Sequence, residues 1–293
     1  MSHCKPKWLS QTIRSTEDGK AVRGLLSSLG LNTVCLEANC PNRNSCYGDG
    51  TATFLIMGKN CTRNCRFCNI AEATPEPIDP TEPRRVAEAV QGMNLSHAVI
   101  TSVTRDDVGD GGAGHFAETI EWTRKLNPVA TIEVLIPDFN GREQSLDTVL
   151  DAKPDVLNHN IETVEALYSA VRPQAEYARS LDILRRSASR GFIAKSGMML
   201  GLGETIDQLE TTLKDLATAG IKILTIGQYI APSKNHHPVI RYIPPDEFDS
   251  LADLARSLGI DVVVSGPLVR SSFKAGEAFV KATKSNTKEQ GGD

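Results

Sequence analysis

Thr53–Cys68 reads T-F-L-I-M-G-K-N-C-T-R-N-C-R-F-C, an apolar run, a glycine and then three cysteines spaced C-x3-C-x2-C. The run TFLIMG (Thr53–Gly58) is apolar throughout rather than alternating, as expected of a strand covered on both faces. Further along, comparable runs occur at HAVITSV (His97–Val103), TIEVLIP (Thr131–Pro137), VLNHNI (Val156–Ile161), IAKSGMML (Ile193–Leu200) and KILTIGQYI (Lys222–Ile230). Between them lie segments of helical period at Pro83–Met93, His115–Leu126, Glu143–Ala152, Ala178–Arg190 and Thr205–Gly220. The last is the clearest. It has Ile206, Leu209, Leu213, Leu216 and Ala217 on one face, a capping box from Thr205 and Gln208, and a glycine stop at Gly220. Repeated strand-then-helix order predicts parallel strands with helices outside, in a barrel or a doubly wound sheet. After Pro244 and Pro245 a further helix (Asp246–Leu258) and a strand, DVVVSGP, lead to R-S-S-F at Arg270–Phe273.

At 293 residues with a net charge of -4, the chain has ample material for a core and no broad basic field, which argues against sequence-independent nucleic-acid binding. No apolar stretch approaches the length of a membrane span and the start, MSHCKPKWLSQTIRS, has no apolar signal core. The expectation is a cytoplasmic protein without membrane contact. Six of the seven cysteines fall between Cys35 and Cys68, and Cys4 stands apart as an incidental thiol. Such clustering in a large chain favours metal binding over a disulfide framework. The polar end KSNTKEQGGD (residues 284–293) is expected to lack order.

Cys61, Cys65 and Cys68 follow the first strand of the series directly. Three thiolates in one short loop can hold three irons of a 4Fe-4S cube and leave the fourth open to a chelating amine and carboxylate, such as the methionine end of S-adenosylmethionine (SAM). A zinc site is the bland alternative, but zinc favours four closed ligands in paired C-x2-C knuckles, and no matching second knuckle follows. The stretch C-T-R-N-C-R-F-C, with Phe67 before the third cysteine, resembles the radical SAM signature. That resemblance implies an electron passed to the sulfonium and a 5'-deoxyadenosyl radical that abstracts hydrogen from unactivated carbon. It also implies a partial (β/α)6 TIM-type barrel at residues 51–232, an N-terminal cysteine-rich extension at 1–50 and a C-terminal extension at 233–283.

A second triplet, Cys35, Cys40 and Cys46 (C-x4-C-x5-C), lies in a stretch where Pro41 and Gly48 suggest a loop rather than a long helix. It implies a second cluster, again one ligand short, with oxygen or nitrogen supplied from elsewhere. This triplet ahead of the radical SAM triplet, with RSSF behind, resembles the lipoyl synthase family over about Trp8 to Ala275. The resemblance implies that one serine of RSSF ligates this auxiliary cluster: Ser272, or Ser271 as the second choice, since neighbours in an extended segment point opposite ways. A serine oxygen is a harder ligand than thiolate and is released more readily, which suits a cluster dismantled as sulfur donor. Without the resemblance, both serines read as ordinary loop residues beside an anion-binding arginine.

The same resemblance supplies candidates for SAM. K-S-G-M-M-L-G-L-G-E contains Gly197, Met199, Gly201 and Glu204 in a G-x-I-x-G-x-x-E arrangement, where glycines admit close approach of adenine; simple turn geometry is the competing reading. Thr101 and Ser102 are candidates for the methionine amino group, Asn158, Asn160 and Glu162 for the ribose, and Arg172 for the methionine carboxylate. Arg105, Asp106 and Asp107 read as a charged loop that contacts substrate domain or cofactor. His236 and His237 read as solvated loop histidines. The implied reaction inserts two sulfur atoms, at carbons 6 and 8, into octanoyl-lysine on a carrier such as the E2 subunit of 2-oxoacid dehydrogenases or the glycine-cleavage H protein. It consumes two SAM per turnover and needs two 4Fe-4S clusters and a donor such as ferredoxin or flavodoxin. Alternatives are a biotin-synthase-type sulfur inserter, which is not expected to carry the upstream triplet and RSSF, and a non-catalytic metal protein.

Overall fold

The computed structural model describes residues 5–10, 16–49 and 51–289, with side chains given as far as Lys284. Contacts divide the chain into two compact units. One comprises Gln11–Asn64 and Cys68–Asp155; the other comprises Met1–Ser10, Cys65–Phe67 and Val156–Asp293. The sequence divides the chain by motif, whereas compactness divides it at Val156, part-way through the strand series. Cys4 lies outside the described residues.

The first unit begins with α1 (Glu17–Ser28), N-capped by Thr16, whose hydroxyl accepts from the Gly19 N–H. Next come β1 (Asn32–Thr33) and two short helices through the cysteine-rich stretch, α2 (Val34–Glu37) and α3 (Arg43–Gly48). β1 lies antiparallel to β2 (Thr53–Ile56). β3 (Asn60–Cys61) and β4 (Ala71–Glu72) pair with each other in parallel and close the ends of the cysteine loop. α4 (Glu82–Gly92), β5 (His97–Ser102), α5 (Ala113–Leu126), β6 (Thr131–Leu135) and α6 (Glu143–Asp151) complete the unit. β2, β5 and β6 are parallel, with Ile56 opposite Ser102 and Thr101 opposite Leu135. Phe54, Ile56, Ile100, Ile132 and Val134 are fully buried, which is why these runs carry no alternation.

The second unit continues the pattern with β7 (Val156–Asn158), α7 (Tyr168–Val171), α8 (Tyr177–Ser189), β8 (Ile193–Leu200), α9 (Ile206–Thr218), β9 (Ile223–Gln228), α10 (Pro245–Ser257) and β10 (Val262–Gly266). All four strands run parallel in the order β7-β8-β9-β10. The capping box is formed as expected: Gln208 N–H donates to Thr205 Oγ1 at 3.3 Å and Thr205 N–H to Gln208 Oε1 at 3.0 Å. Gly220 takes the left-handed conformation (φ 81°) that ends α9. The core of this unit joins Leu209, Leu213 and Leu216 of α9 to Leu184, Leu224, Ile226 and Phe248.

Two expectations meet a different backbone. The polar stretch from Lys284 does not begin as coil: α11 (Ala275–Glu289) carries its backbone through residue 289, and residues 290–293 lie outside the described residues. Its anchor is Ala278 and Ala282, packed with Ile223 and Val262, and a helix so nucleated propagates through the lysines that follow. The RSSF segment is a turn rather than an extended strand, with Phe273 N–H donating to Arg270 O at 2.9 Å. The pairing of chain neighbours on opposite faces therefore does not separate Ser271 from Ser272.

Candidate functional site

In the first unit, Cys61 ends β3 and its Sγ accepts two backbone N–H groups, from Arg63 at 3.4 Å and Thr104 at 3.3 Å. Hydrogen bonds from amides to a cysteine sulfur tune a cluster bound to it. Thr62 pins the same turn to the segment after β5: its N–H and Oγ1 donate to Thr104 O at 3.1 and 3.0 Å, and its Oγ1 accepts from Asp106 N–H at 3.1 Å. Arg63, buried between two of the cysteines in sequence, donates through Nε and Nη2 to both carboxylate oxygens of Asp106 and through Nη2 to Asp138 and Asn140 at 2.7 Å each. Burial opposes its charge, yet the two carboxylates hold the guanidinium above its ordinary range.

Arg105 is buried as well, forked onto Asp107 by bonds of 2.8–3.2 Å and directed at Met57 O. The charged loop expected to meet substrate thus spends Arg105 and Asp106 on internal bonds that brace the cysteine loop. Met57, just before that loop, sits at φ 66° with its N–H on the Glu82 carboxylate at 2.7 Å, and Glu82 also meets His115 Nε2 at 2.8 Å. Of the two β5 candidates, Thr101 donates its hydroxyl to Leu135 O at 2.8 Å. Ser102 Oγ is buried and has no hydrogen-bond partner among the described residues. A buried hydroxyl without a partner at a strand's C-terminal end is a place that a polar ligand group fits.

The second triplet lies wholly in this unit. Thr33 caps α2, accepting from Leu36 N–H, and its hydroxyl meets the buried Tyr47 hydroxyl at 2.7 Å, which ties α2 to α3. Cys35 lies in α2, Cys40 follows with its N–H on Cys35 O at 3.2 Å, and Cys46 lies in α3 with Thr51 bonded to its carbonyl. Burial, and the closeness of Cys35 and Cys40, push the Cys46 thiol up to about 12; burial also raises Cys35, partly offset by Thr53. Neighbouring thiols of which Cys35 and Cys46 are disfavoured as bare thiolates are a donor set that a cationic iron centre fits. None of the six cysteines is in a disulfide. Among the described residues, no three His, Cys, Asp or Glu side chains converge on a point that a single metal ion can occupy; thiolates at the corners of a four-iron cube stand further apart.

In the second unit, the glycine-rich end of β8 is locked by Glu204, whose carboxylate accepts from the N–H groups of Gly201, Leu202 and Gly203 at 2.5, 2.9 and 3.0 Å. A Cβ on Gly201 would stand 2.3 Å from Arg241 O, and one on Gly197 would stand 2.7 Å from Thr225 Oγ1 and 2.8 Å from Asn160 Oδ1. The close approach that these glycines permit is between parts of the protein itself. Met199 packs against the cluster of Val171, Leu202 and Tyr229, as Phe67 does.

Arg172 lies over the Tyr168 ring at 5.1 Å and donates through Nη1 to Asn160 O, Ile161 O and the Tyr168 hydroxyl. Glu162, at φ 66°, bonds through its backbone to Gly197 and Met199 of β8. Burial raises its carboxyl above the ordinary value, against the Arg172 charge and a 3.0 Å bond from Asn160. Asn158 Nδ2 donates to Ser271 Oγ at 2.9 Å, and Ser271 Oγ in turn donates to Asn160 Oδ1 at 3.1 Å. Two of the expected ribose contacts therefore anchor RSSF. The segment is held from a second side, where a Cβ on Gly227 would come within 2.1 Å of Val269 O.

The Radical SAM superfamily model matches residues 55–216. The chain is 53% identical over 274 residues to the lipoyl synthase of Nitratidesulfovibrio vulgaris strain Hildenborough, covering 94% of this chain and 92% of that one.

The chain belongs to the lipoyl synthase family.

It is thereby a radical SAM sulfur-inserting enzyme, for which SAM and 4Fe-4S clusters are the cofactors. The lipoyl synthase of Caldicellulosiruptor saccharolyticus is 50% identical over 275 residues, covering 93% of this chain and 96% of that one. Among solved structures, Streptococcus suis SuiB bound to S-adenosylmethionine aligns with a TM-score of 0.57 at 10% identity, over 76% of this chain and 54% of that one. HydG, a maturase of the [FeFe]-hydrogenase, aligns at 0.55 and 14%, over 92% and 75%. These likenesses show the α/β radical SAM fold with a mostly parallel sheet. No helix among the described residues is long and apolar enough to cross a membrane.

Proposed function

We propose that this member of the lipoyl synthase family inserts sulfur at carbons 6 and 8 of an octanoyl-lysine on a lipoyl carrier domain, using two 4Fe-4S clusters held by different cysteine triplets. The observation that carries the reading is the pair of triplets, one beginning at the end of β3 and the other carried by α2, α3 and the turn between them. Cys61 has two amides on its sulfur, and Cys35 and Cys46 are raised by burial first and then by the closeness of their neighbours in the triplet. Bound there, the clusters and SAM supply the electron, the carbon-centred radical and the sulfur. The protein's own part is to bind, orient and exclude water.

Cys61, Cys65 and Cys68 would hold the SAM-binding cluster. Ser102, with its unpartnered buried hydroxyl, is the best supported SAM contact of those expected, and it suits the methionine amino group. Glu162, Met199 and Gly201 line the β8 side, and Arg172 would bring a positive charge for the methionine carboxylate. For the auxiliary cluster, Ser272 is favoured over Ser271 beside Cys35, Cys40 and Cys46. The Ser271 hydroxyl already accepts from Asn158 and donates to Asn160, so it is spent as an anchor. Carrier domains of the E2 and H-protein kind, a ferredoxin or flavodoxin as donor, and a cytoplasmic setting complete the reading.

The test is a pair of variants in anaerobically reconstituted protein. Cys61→Ala should abolish SAM cleavage. Cys40→Ala should keep 5'-deoxyadenosine formation while an octanoylated lysine peptide gains no sulfur by mass. Normal lipoyl product from Cys40→Ala, or wild-type protein with well under about eight irons per chain, would sink the two-cluster assignment.

A further inference from the structure

His237 makes three main-chain connections within the second unit, each to a different segment. Its N–H donates to Arg66 O at 2.8 Å, its ring Nε2 lies 2.8 Å from Leu202 O, and its carbonyl accepts the Tyr229 hydroxyl at 2.7 Å. Since a carbonyl oxygen only accepts, Nε2 carries the hydrogen. Arg66 is the residue after Cys65, and its own N–H donates to Val171 O at 2.8 Å. Both polar groups of its backbone are thus spoken for, one of them by His237. Phe67 packs against the cluster of Val171, Leu202 and Tyr229, as Met199 does.

Leu202 lies in the glycine-rich turn, between Gly201 at φ 96° and Gly203 at φ 119°, a backbone that side chains elsewhere must hold in place. Glu204 holds its amides and His237 holds one of its carbonyls. Further bonds run along the same seam, with Ile240 N–H on Gly201 O at 2.9 Å and Gln228 Nε2 on Arg241 O at 3.1 Å.

We infer that His237 is a positioning residue that fixes Cys65–Phe67 against the glycine-rich turn, so that a SAM molecule bound between them meets both at a set spacing. This rests on the reading of Cys65 as a cluster ligand. Histidine suits the task, because its main-chain N–H and its ring Nε2–H reach two backbone carbonyls at once, and of the two only the ring bond to Leu202 is lost with the side chain. The donor hydrogen on Nε2 is retained in neutral and protonated rings alike, so the role needs no proton transfer.

Three variants test it: His237→Ala, His237→Gln, which can place an amide N–H near the Nε2 position, and His236→Ala, whose ring bonds to Ser233 of its own turn. Loss of one net hydrogen bond is worth about tenfold. His237→Ala should raise the SAM KM by about that factor with kcat less affected. In the metal-free protein, the same variant should speed amide exchange of the peptide spanning residues 62–68 by a comparable factor. His237→Gln should recover most of both, and His236→Ala should match wild type in both. Unchanged exchange in His237→Ala, no recovery in His237→Gln, or an equal defect in His236→Ala would overturn the inference. Faster exchange in His237→Ala from a protein that cannot be loaded with a cluster would leave the positioning role standing and refute the cluster reading instead.

Discussion

Arg63→Met removes the guanidinium at the centre of the cysteine loop's brace and leaves its partners in place. Three oxygens share Nη2, those of Asp106, Asp138 and Asn140, and Asp106 takes Nε as well. Side-chain exposure is 4% for Arg63, 0% for Asp138 and 27% for Asp106. Asp106 can turn to water once the arginine is gone, and Asn140 still donates to it. Asp138 cannot, and it loses the guanidinium while the bond from the Asn140 backbone N–H stays. The cost is therefore that of breaking a buried ion pair at one end, about 3–5 kcal/mol. Adding Asp138→Asn removes the remaining buried charge of the pair, and the double variant should return to within about 2 kcal/mol of wild type, because a buried pair replaced at both ends is often nearly neutral. Urea unfolding of the metal-free protein near neutral pH, followed by circular dichroism, measures both. A single variant within about 1 kcal/mol of wild type, or a double variant no better than the single, would refute the reasoning. Because Arg63 lies between Cys61 and Cys65, the single variant should also retain less iron after gel filtration.

Gly227→Ala would place a Cβ 2.1 Å from Val269 O, a backbone atom that can yield only if the segment leading to RSSF moves. Displacement by about 1 Å costs on the order of a hundredfold in a positioned reaction, so sulfur insertion into an octanoyl peptide should fall by that order while 5'-deoxyadenosine formation stays within a few-fold; parallel losses in both would contradict this. Alkaline stability gives an independent check. Burial raises Tyr168, Tyr177 and Tyr229 above the ordinary 10.0, with Tyr229 reaching about 12. The unfolded chain gives up these protons first, so the metal-free protein should lose stability as pH rises from about 10 through 12. A urea midpoint that is flat or rising over that window would count against it.

The parallel α/β order was legible because its signals are local. Observed β8 coincides with the run Ile193–Leu200, and α9 begins where Thr205 and Gln208 cap each other. The cysteine-rich stretch was read as loop, since helices as short as α2 and α3 leave no periodicity to detect. Glu204 looked like a ligand residue but turns back onto three amides of its own loop. Arg105 and Asp106 read as a loop that contacts substrate domain or cofactor, because nothing in a sequence says that Asp107 and Arg63 stand ready to receive them. His237 carried no signal that set it apart from His236.

Chemistry written in spacing was therefore available from the sequence alone: two thiol triplets, the strand that delivers one of them, and the serines near the C-terminus. Their local connectivity is covalent and cannot vary with the fold. Which polar side chains remain available to a ligand was a tertiary decision. The hydrogen bonds that occupy Thr101, Asn158 and Ser271, and the one that Ser102 lacks, depend on partners 34 or more residues away or absent among the described residues. Such pairings arise only when separate strand ends and turns are packed together, and a linear pattern holds no record of them.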